Sequence, residues 1–321
     1  MQKLNIYTFH RGIANHRFDA HNTNELKRIL GNRYEINHYD MNGDDKFYYQ
    51  NDCNVLINQG SIVIFEYDDT KKFKVFDFGD SPSLTVMLSK SKNFIGAAIG
   101  QYNKRLWDYN ILKKEIRQEI KPSVYPETCW NLGLENFEQM DEYRKSVQLD
   151  DRLYWRGSIY NTISDPNYRN TRVAIEHLSV KMQNFYFAPF PISFDEYISE
   201  SLNFKLALCF GGGGGYSCGD LCFRDIEMYG LGIPTIRPRL AIETDDPLIP
   251  DVHYISVDCE FDNRFRYIKN EELADSIIKR YHEVISDDDY LKTISSNARD
   301  WYIRNASGPN ITNKLVNILG I

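Results

Sequence analysis

One pattern constrains this chain more than any other: short apolar runs of strand length alternate with amphipathic helical segments, and the alternation stops and restarts once. In the first half, LNIYTF is followed by the helical NTNELKRILG, where Asn22 or Thr23 can cap the start and Gly31 the end. NRYEINHYD, VLINQGSIVIFEYD, FKVFDFGDSPSL and KNFIGAAIGQY then supply strand runs. Between about 121 and 151 the periodicity lapses, and Pro122 and Pro126 fall in the gap. The rhythm resumes with the strand RLYWRGS, the helix TRVAIEHLSVKMQ and the strand NFYFAPF. Next come the helix SFDEYISESLN with Ser193 as N-cap, the strand FKLALCF, the helix FRDIEMYGLG and the short strands IPTIRP and HYISVD. From EELADS to WYIRNA the chain reads as helical almost to its end. Strands alternating with helices predict mainly parallel sheets. The expected fold is therefore α/β, with two doubly wound Rossmann-like domains facing a cleft. The expected division is 1–145 and 146–321, with the last helix packing back on the first domain.

Composition narrows the possible partners. Apolar residues make up 42% of the 321 and aromatics 14%, enough for packed cores. The 22 Tyr and 18 Phe suit stacking on sugars or bases, but Tyr-rich cores use them equally well. A net charge of −7 with no basic stripe argues against a nucleic-acid partner. No run approaches the length of a membrane span, and MQKLNIYTFHRG contains no apolar signal core, so a cytoplasmic location is expected. Cys53, Cys129, Cys209, Cys218, Cys222 and Cys259 show neither CxxC nor zinc-site spacing, which fits a reduced compartment.

Three segments carry candidate chemistry. In FKLALCFGGGGGYSCGDLCFRDIE an apolar strand enters a glycine run, and a helix begins soon after. Gly215, Tyr216 and Ser217 would bring backbone amides and a hydroxyl to that helix N-terminus, where the unpaired amides and the helix dipole favour phosphate. Arg224 can add a forked cation, and Glu227, on the same face, can accept ribose hydroxyls. The run is neither a Walker loop nor GxGxxG, so a plain surface turn is the competing reading. In YWRGSIYNTISDPNYRNTR a strand delivers Arg156, Gly157 and Ser158 to its carboxyl end, and Arg172 starts the next helix. Doubly wound sheets bind ligands at such ends, although surface arginines read the same way in sequence. In VFDFGDSP a strand ends in a tight turn holding Asp80, a candidate general base or simply a turn aspartate. Asp77 reads as a structural partner. His10 and Arg11, after the first strand, are a further cleft candidate.

Taken together and in order, GDSP at 79–82, WRGS at 155–158 and CFRDIE at 222–227 resemble glycosyltransferase family 90, the protein O-glucosyltransferases and capsule xylosyltransferases. HYISVD at 253–258 and WYIRN at 301–305 look like the family's later segments, so the likeness spans roughly 70–305. The resemblance implies a GT-B-like fold and inverting transfer of a hexose or pentose from a UDP-sugar to a glycan or other hydroxyl acceptor, with no metal or other cofactor. It places the catalytic base at Asp80 and the donor-diphosphate contacts at Arg156, Gly157, Ser158, Arg172 and Arg224. Two alternatives stay open. A non-catalytic carbohydrate-binding module would use the aromatics for stacking, and a metal-dependent GT-A-type transferase would use Asp258 and Glu260 of ISVDCEFD.

Overall fold

The computed structural model describes residues 1–10, 20–42, 47–49, 53–55, 62–77, 85, 88–99, 120–122, 137–157, 166–190, 192–210, 221–242, 244–261 and 267–321. In chain order the elements begin β1 (Gln2–His10), α1 (Ala20–Leu30), β2 (Tyr34–Asn42), β3 (Phe47–Tyr49), β4 (Cys53–Val55), β5 (Ile62–Tyr67), β6 (Phe73–Asp77), β7 (Phe94–Ile99) and β8 (Ile120–Pro122). They continue with α2 (Phe137–Ser146), β9 (Asp150–Arg156), α3 (Pro166–Lys181), β10 (Phe185–Ala188), α4 (Phe194–Ser201), β11 (Phe204–Leu208), α5 (Phe223–Leu231), β12 (Thr235–Pro238) and β13 (Ile255–Val257). The chain ends with β14 (Glu260–Phe261), β15 (Tyr267–Ile268), α6 (Asn270–Val284), α7 (Asp288–Asn305) and α8 (Gly308–Leu319). Two compact units result. One comprises Met1–Glu127, Ile242–Asp246 and Gly308–Ile321, and the other Thr128–Ala241 and Pro247–Ser307. Helix α2 runs across the 145/146 division read from the sequence, and all of it groups with the second unit, which begins at Thr128.

The first unit holds a six-stranded sheet in the order β2-β1-β5-β6-β7-β8. It is mixed, not mainly parallel: β5 runs antiparallel to β1 and to β6, while β1/β2, β6/β7 and β7/β8 are parallel. The reason is local. Only Asp68 to Lys72 separates β5 from β6, too short for a crossover, which needs a dozen residues or more. The chain must fold back as a hairpin, and Lys71 takes the left-handed conformation (φ 56°) that closes the turn. Ile62, Val63, Ile64 and Phe65 are all completely buried, so β5 is covered on both faces. Helix α8 packs on α1 and on β7, and Lys74 and Lys121 donate to carbonyls at its C-terminal end. Cations there complement the negative end of the helix dipole. Helix α1 begins at Ala20, ahead of the caps expected at Asn22 or Thr23, and both residues lie inside it.

The second unit is built on a five-stranded sheet in the order β10-β9-β11-β12-β13, and every pairing is parallel. Alternate residues point to opposite faces. Leu153 and Trp155 of β9, Leu206 and Leu208 of β11, and Ile236, Ile255 and Val257 join one apolar cluster with Ala174, Ile175 and Leu178 of α3 and Leu273 and Ile277 of α6. Tyr154, on the alternate face, stacks on Phe204 at 4.6 Å and lies near Tyr197 of α4. Tyr229 of α5 meets Trp301 of α7 edge-on at 6.0 Å. Helix α4 starts as the sequence predicts: Ser193 and Glu196 form a reciprocal capping box. The long C-terminal helical stretch is interrupted at Asp287, whose carboxylate accepts from the Tyr290 amide and starts α7. Among the described residues no helix is long and apolar enough to cross a membrane.

Candidate functional site

Relative to chain order, the parallel sheet reads 2-1-3-4-5. The connection from β9 leads outward to β10 on one side, while β11 lies on the other, so the order reverses between β9 and β11. Helices leaving neighbouring strands on opposite sides open a crevice at such a switch point, and open α/β sheets bind ligands there, beyond the strand carboxyl ends. In this unit those ends are Arg156-Gly157 on β9 and Leu208-Cys209 on β11, with the N-terminus of α5 following.

Arg224, in the first turn of α5, reaches the end of β9. Its guanidinium donates from Nη2 to the Arg156 carbonyl and lies over the Trp155 ring, 5.5 Å from the centroid. Gly157 makes this approach possible. A Cβ there would sit 2.9 Å from Arg224 Nη2 and 3.1 Å from Trp155 Cζ2. The glycine read as part of a phosphate loop thus also leaves room for the Arg224 guanidinium beside β9. Trp155 is held by parallel stacking on Phe187, with centroids 5.5 Å apart and planes 11° apart. Trp155 Nε1 and Arg224 Nε are buried, and neither has a hydrogen-bond partner among the described residues. Burial opposes the charge on Arg224, but Tyr197, Cys222, Cys209 and Glu227 nearby outweigh it, and its pKa stands above the ordinary value. The guanidinium is therefore a fixed positive charge at the switch point. Burial pushes the Tyr154 phenol up to about 12, so it stays neutral at ordinary pH.

Arg156 is differently engaged. Its Nη2 and Nε donate to the Glu200 carboxylate at 2.6 and 3.2 Å, and its Nη1 donates to the Phe190 carbonyl at 2.8 Å. The pair is mostly shielded, with side chains 13% and 22% exposed. In this state the Arg156 charge is balanced by α4, and the residue ties the loop after β10 to that helix. Glu200 has no signal in the sequence, because its partner lies 44 positions away.

The start of α5 has a second layer that the sequence reading passed over. Asp225, between the two residues singled out, is fully buried and forms an ion pair with the equally buried Arg237 of β12 at 2.7 Å. The same carboxylate oxygen accepts from the Cys222 amide at 2.8 Å, closing the first turn. Tyr254 faces the Arg237 guanidinium at 5.7 Å. An arginine inside a parallel sheet pairs with the only chemistry that makes its burial tolerable. Glu227, one turn further along α5, is half-buried and acts electrostatically on Arg224 and Tyr197.

Several candidates lie outside the described residues: Asp80, Ser158, Gly215, Tyr216, Ser217 and Arg11. Arg172 is placed by backbone within α3, and His10 at the end of β1, paired in register with Asn42. Asp77 ends β6 three positions before Asp80; it is 1% exposed and accepts from the Thr85 hydroxyl at 2.6 Å, a buried structural partner as expected. Asp258 and Glu260 each engage a different cation. Asp258 pairs with Arg239 at 2.9 Å and Glu260 with Lys269 at 2.7 Å, all four side chains being largely exposed. No group of three or more His, Cys, Asp or Glu that could hold a metal occurs among the described residues.

No protein-family model matches the sequence, and no curated protein matches it. Among solved structures, a likeness to the crystal structure of TarM has a TM-score of 0.39 and 10% sequence identity, over 81% of this chain and 64% of the TarM chain. This chain thus spans less than two thirds of TarM's length. A likeness of that size says nothing about chemistry, which has to come from this chain's own residues.

Proposed function

We propose that the chain is a glycosyltransferase that moves a hexose or pentose from a UDP-sugar to a hydroxyl acceptor, with inversion and without a metal. The observation that carries this reading is the fixed Arg224 cation at the β9/β11 switch point, set at a helix N-terminus beside the Arg156-Gly157 strand end. A diphosphate leaving group needs preorganised positive charge and amide donors in a place sheltered from water. The ordered resemblance of GDSP, WRGS and CFRDIE to glycosyltransferase family 90 supports the same donor class.

The reaction on this reading is one in-line displacement. The Asp80 carboxylate takes the acceptor hydroxyl proton, the freed oxygen attacks the anomeric carbon, and the bond from that carbon to the UDP oxygen breaks, its electron pair leaving with UDP. Charge building on the diphosphate is met by Arg224 together with the α5 N-terminal amides, and by Arg156 and Arg172. A glycan acceptor fits the aromatic-rich composition. Asp80→Asn should abolish transfer while leaving UDP binding, measured by calorimetry, within about twofold of the parent, since an amide keeps the shape and cannot take the proton. Sugar transfer at the parental rate by that variant would remove Asp80 from the reaction, and absence of any UDP binding by the parent would remove the donor assignment.

A further inference from the structure

The loop after β10 sets an exposed aromatic residue beside the arginines at the end of β9. In the parallel sheet Ala188 of β10 lies opposite Arg156, and the Gly157 amide donates to the Ala188 carbonyl at 3.1 Å. Phe190 follows two positions later. Its carbonyl accepts from Arg156 Nη1 at 2.8 Å, while Nε and Nη2 of the same guanidinium grip both Glu200 oxygens at 3.2 and 2.6 Å. One mostly shielded arginine thus fastens this loop both to the end of β9 and to α4. In sequence Pro189 and Pro191 flank Phe190; a proline fixes its own φ and biases the residue before it toward extended backbone. Phe185 and Phe187 of β10 stack on each other, with centroids 5.9 Å apart, and Phe187 stacks on Trp155. Phe190, by contrast, is 71% exposed. A clamped backbone carrying an open ring suits a stacking contact, because little freedom is left to lose on binding.

We propose that Phe190 is the platform on which the nucleobase of the donor stacks, with Glu200 as the positioning residue that holds it there through Arg156. The proposal rests on the donor reading made above. Arg224 donates to the Arg156 carbonyl, and Arg156 donates to the Phe190 carbonyl. A single residue therefore bridges the cation that faces the diphosphate and the aromatic ring, a short span of the kind that joins phosphate to base in a nucleotide. Every base has a π-face that an aromatic ring can meet without a hydrogen-bond code. The clasp uses three of the five N–H donors of Arg156, so the same guanidinium can also turn toward phosphate. On this arrangement Phe190 adds affinity for the nucleoside and none for the diphosphate.

The test compares the parent, Phe190→Ala and Phe190→Tyr by calorimetry, with UDP and with inorganic pyrophosphate, which carries the charge without the base. Since Phe190 is so exposed, Phe190→Ala should keep the parental urea midpoint. It should bind UDP about tenfold more weakly, while Phe190→Tyr stays within about twofold of the parent and pyrophosphate affinity is the same in all three. Glu200→Gln should lower the ratio of UDP to pyrophosphate affinity by about threefold, and should leave that ratio unchanged in a chain that already carries Phe190→Ala. An unchanged ratio in the single variant, or an equal fall in both backgrounds, removes Glu200 from the proposal. Parental UDP affinity in Phe190→Ala overturns the platform. So does an equal weakening of UDP and pyrophosphate, which makes the ring structural, or a rise in acceptor KM alone, which gives the ring to the acceptor. A parent that binds neither UDP nor pyrophosphate removes the donor reading and the platform with it, whereas a parent that binds both with no loss in Phe190→Ala removes the platform only.

Discussion

In the six-stranded sheet β5 runs against both its neighbours, whereas in the five-stranded sheet every strand points the same way. A strand running against its neighbours sends its carboxyl end to the opposite edge, so the mixed sheet has no single edge at which all the strand carboxyl ends gather. The parallel sheet gathers them at one edge, and its reversal of order opens a crevice there. Their buried charges differ in the same way. In the first unit the buried Asp77 is held by the Thr85 hydroxyl. In the second the buried Asp225 faces a full cation, Arg237, directly beneath the helix that carries Arg224. The ion pair of the parallel unit is fully buried at the start of α5, whereas in the mixed unit Asp77 is held by a hydroxyl and the buried Glu66 faces the half-exposed Lys71 at 3.5 Å.

The largest effect should come from breaking the buried pair. Asp225→Ala leaves Arg237 charged and uncompensated in a dry interior and should cost about 3–5 kcal/mol of stability in urea unfolding. A loss below 1 kcal/mol would mean that water reaches the pair. Next comes Arg224→Ala, which should lower sugar transfer by about 10²–10³ in steady-state rate, as removal of one preorganised charge donor does elsewhere. Because Asp225, and not Arg224, holds the start of α5, this variant should keep most of its stability. A rate loss that merely tracks unfolding would make Arg224 structural. In the mixed unit, Thr85→Val removes one donor from the buried Asp77 and should cost about 1–3 kcal/mol, less than Asp225→Ala; the reverse ranking would erase the contrast between the sheets. Smallest is Gly157→Ala. Its methyl group meets only the end of the flexible Arg224 side chain and the Trp155 edge. It should fold normally and weaken UDP binding by about tenfold, or about 1.4 kcal/mol. Unchanged affinity would show that the close approach of Arg224 to β9 is not used by the ligand.

Particular residues show how much of this was legible in advance. Ser193 and Glu196, three apart ahead of an apolar run, announce a capping box, and the structure forms it. The five polar residues between β5 and β6 also announce a hairpin, yet the wider β/α rhythm drew the reading toward parallel strands. Asp225 is indistinguishable in sequence from the acidic residues common in the first turn of surface helices, because its partner Arg237 lies on a strand still to come. Glu200 was illegible for the same reason, since nothing in a helix sequence shows which strand end it will face. Trp155 enters the sequence reading only as the first residue of WRGS, with no sign that it would lie against the Arg224 guanidinium.

Alone, the sequence determines most of the alternation of strands and helices, the Ser193 cap and the arginine at the carboxyl end of β9, because these depend on residues within a few positions of one another. Only the tertiary structure decides that β9 and β11 become neighbours and make the switch point. It likewise decides that Asp225 meets Arg237 and that Arg156 is held by Glu200. Strand order and buried charge pairing are set by how whole elements pack, and that information is spread over contacts between residues far apart in the chain.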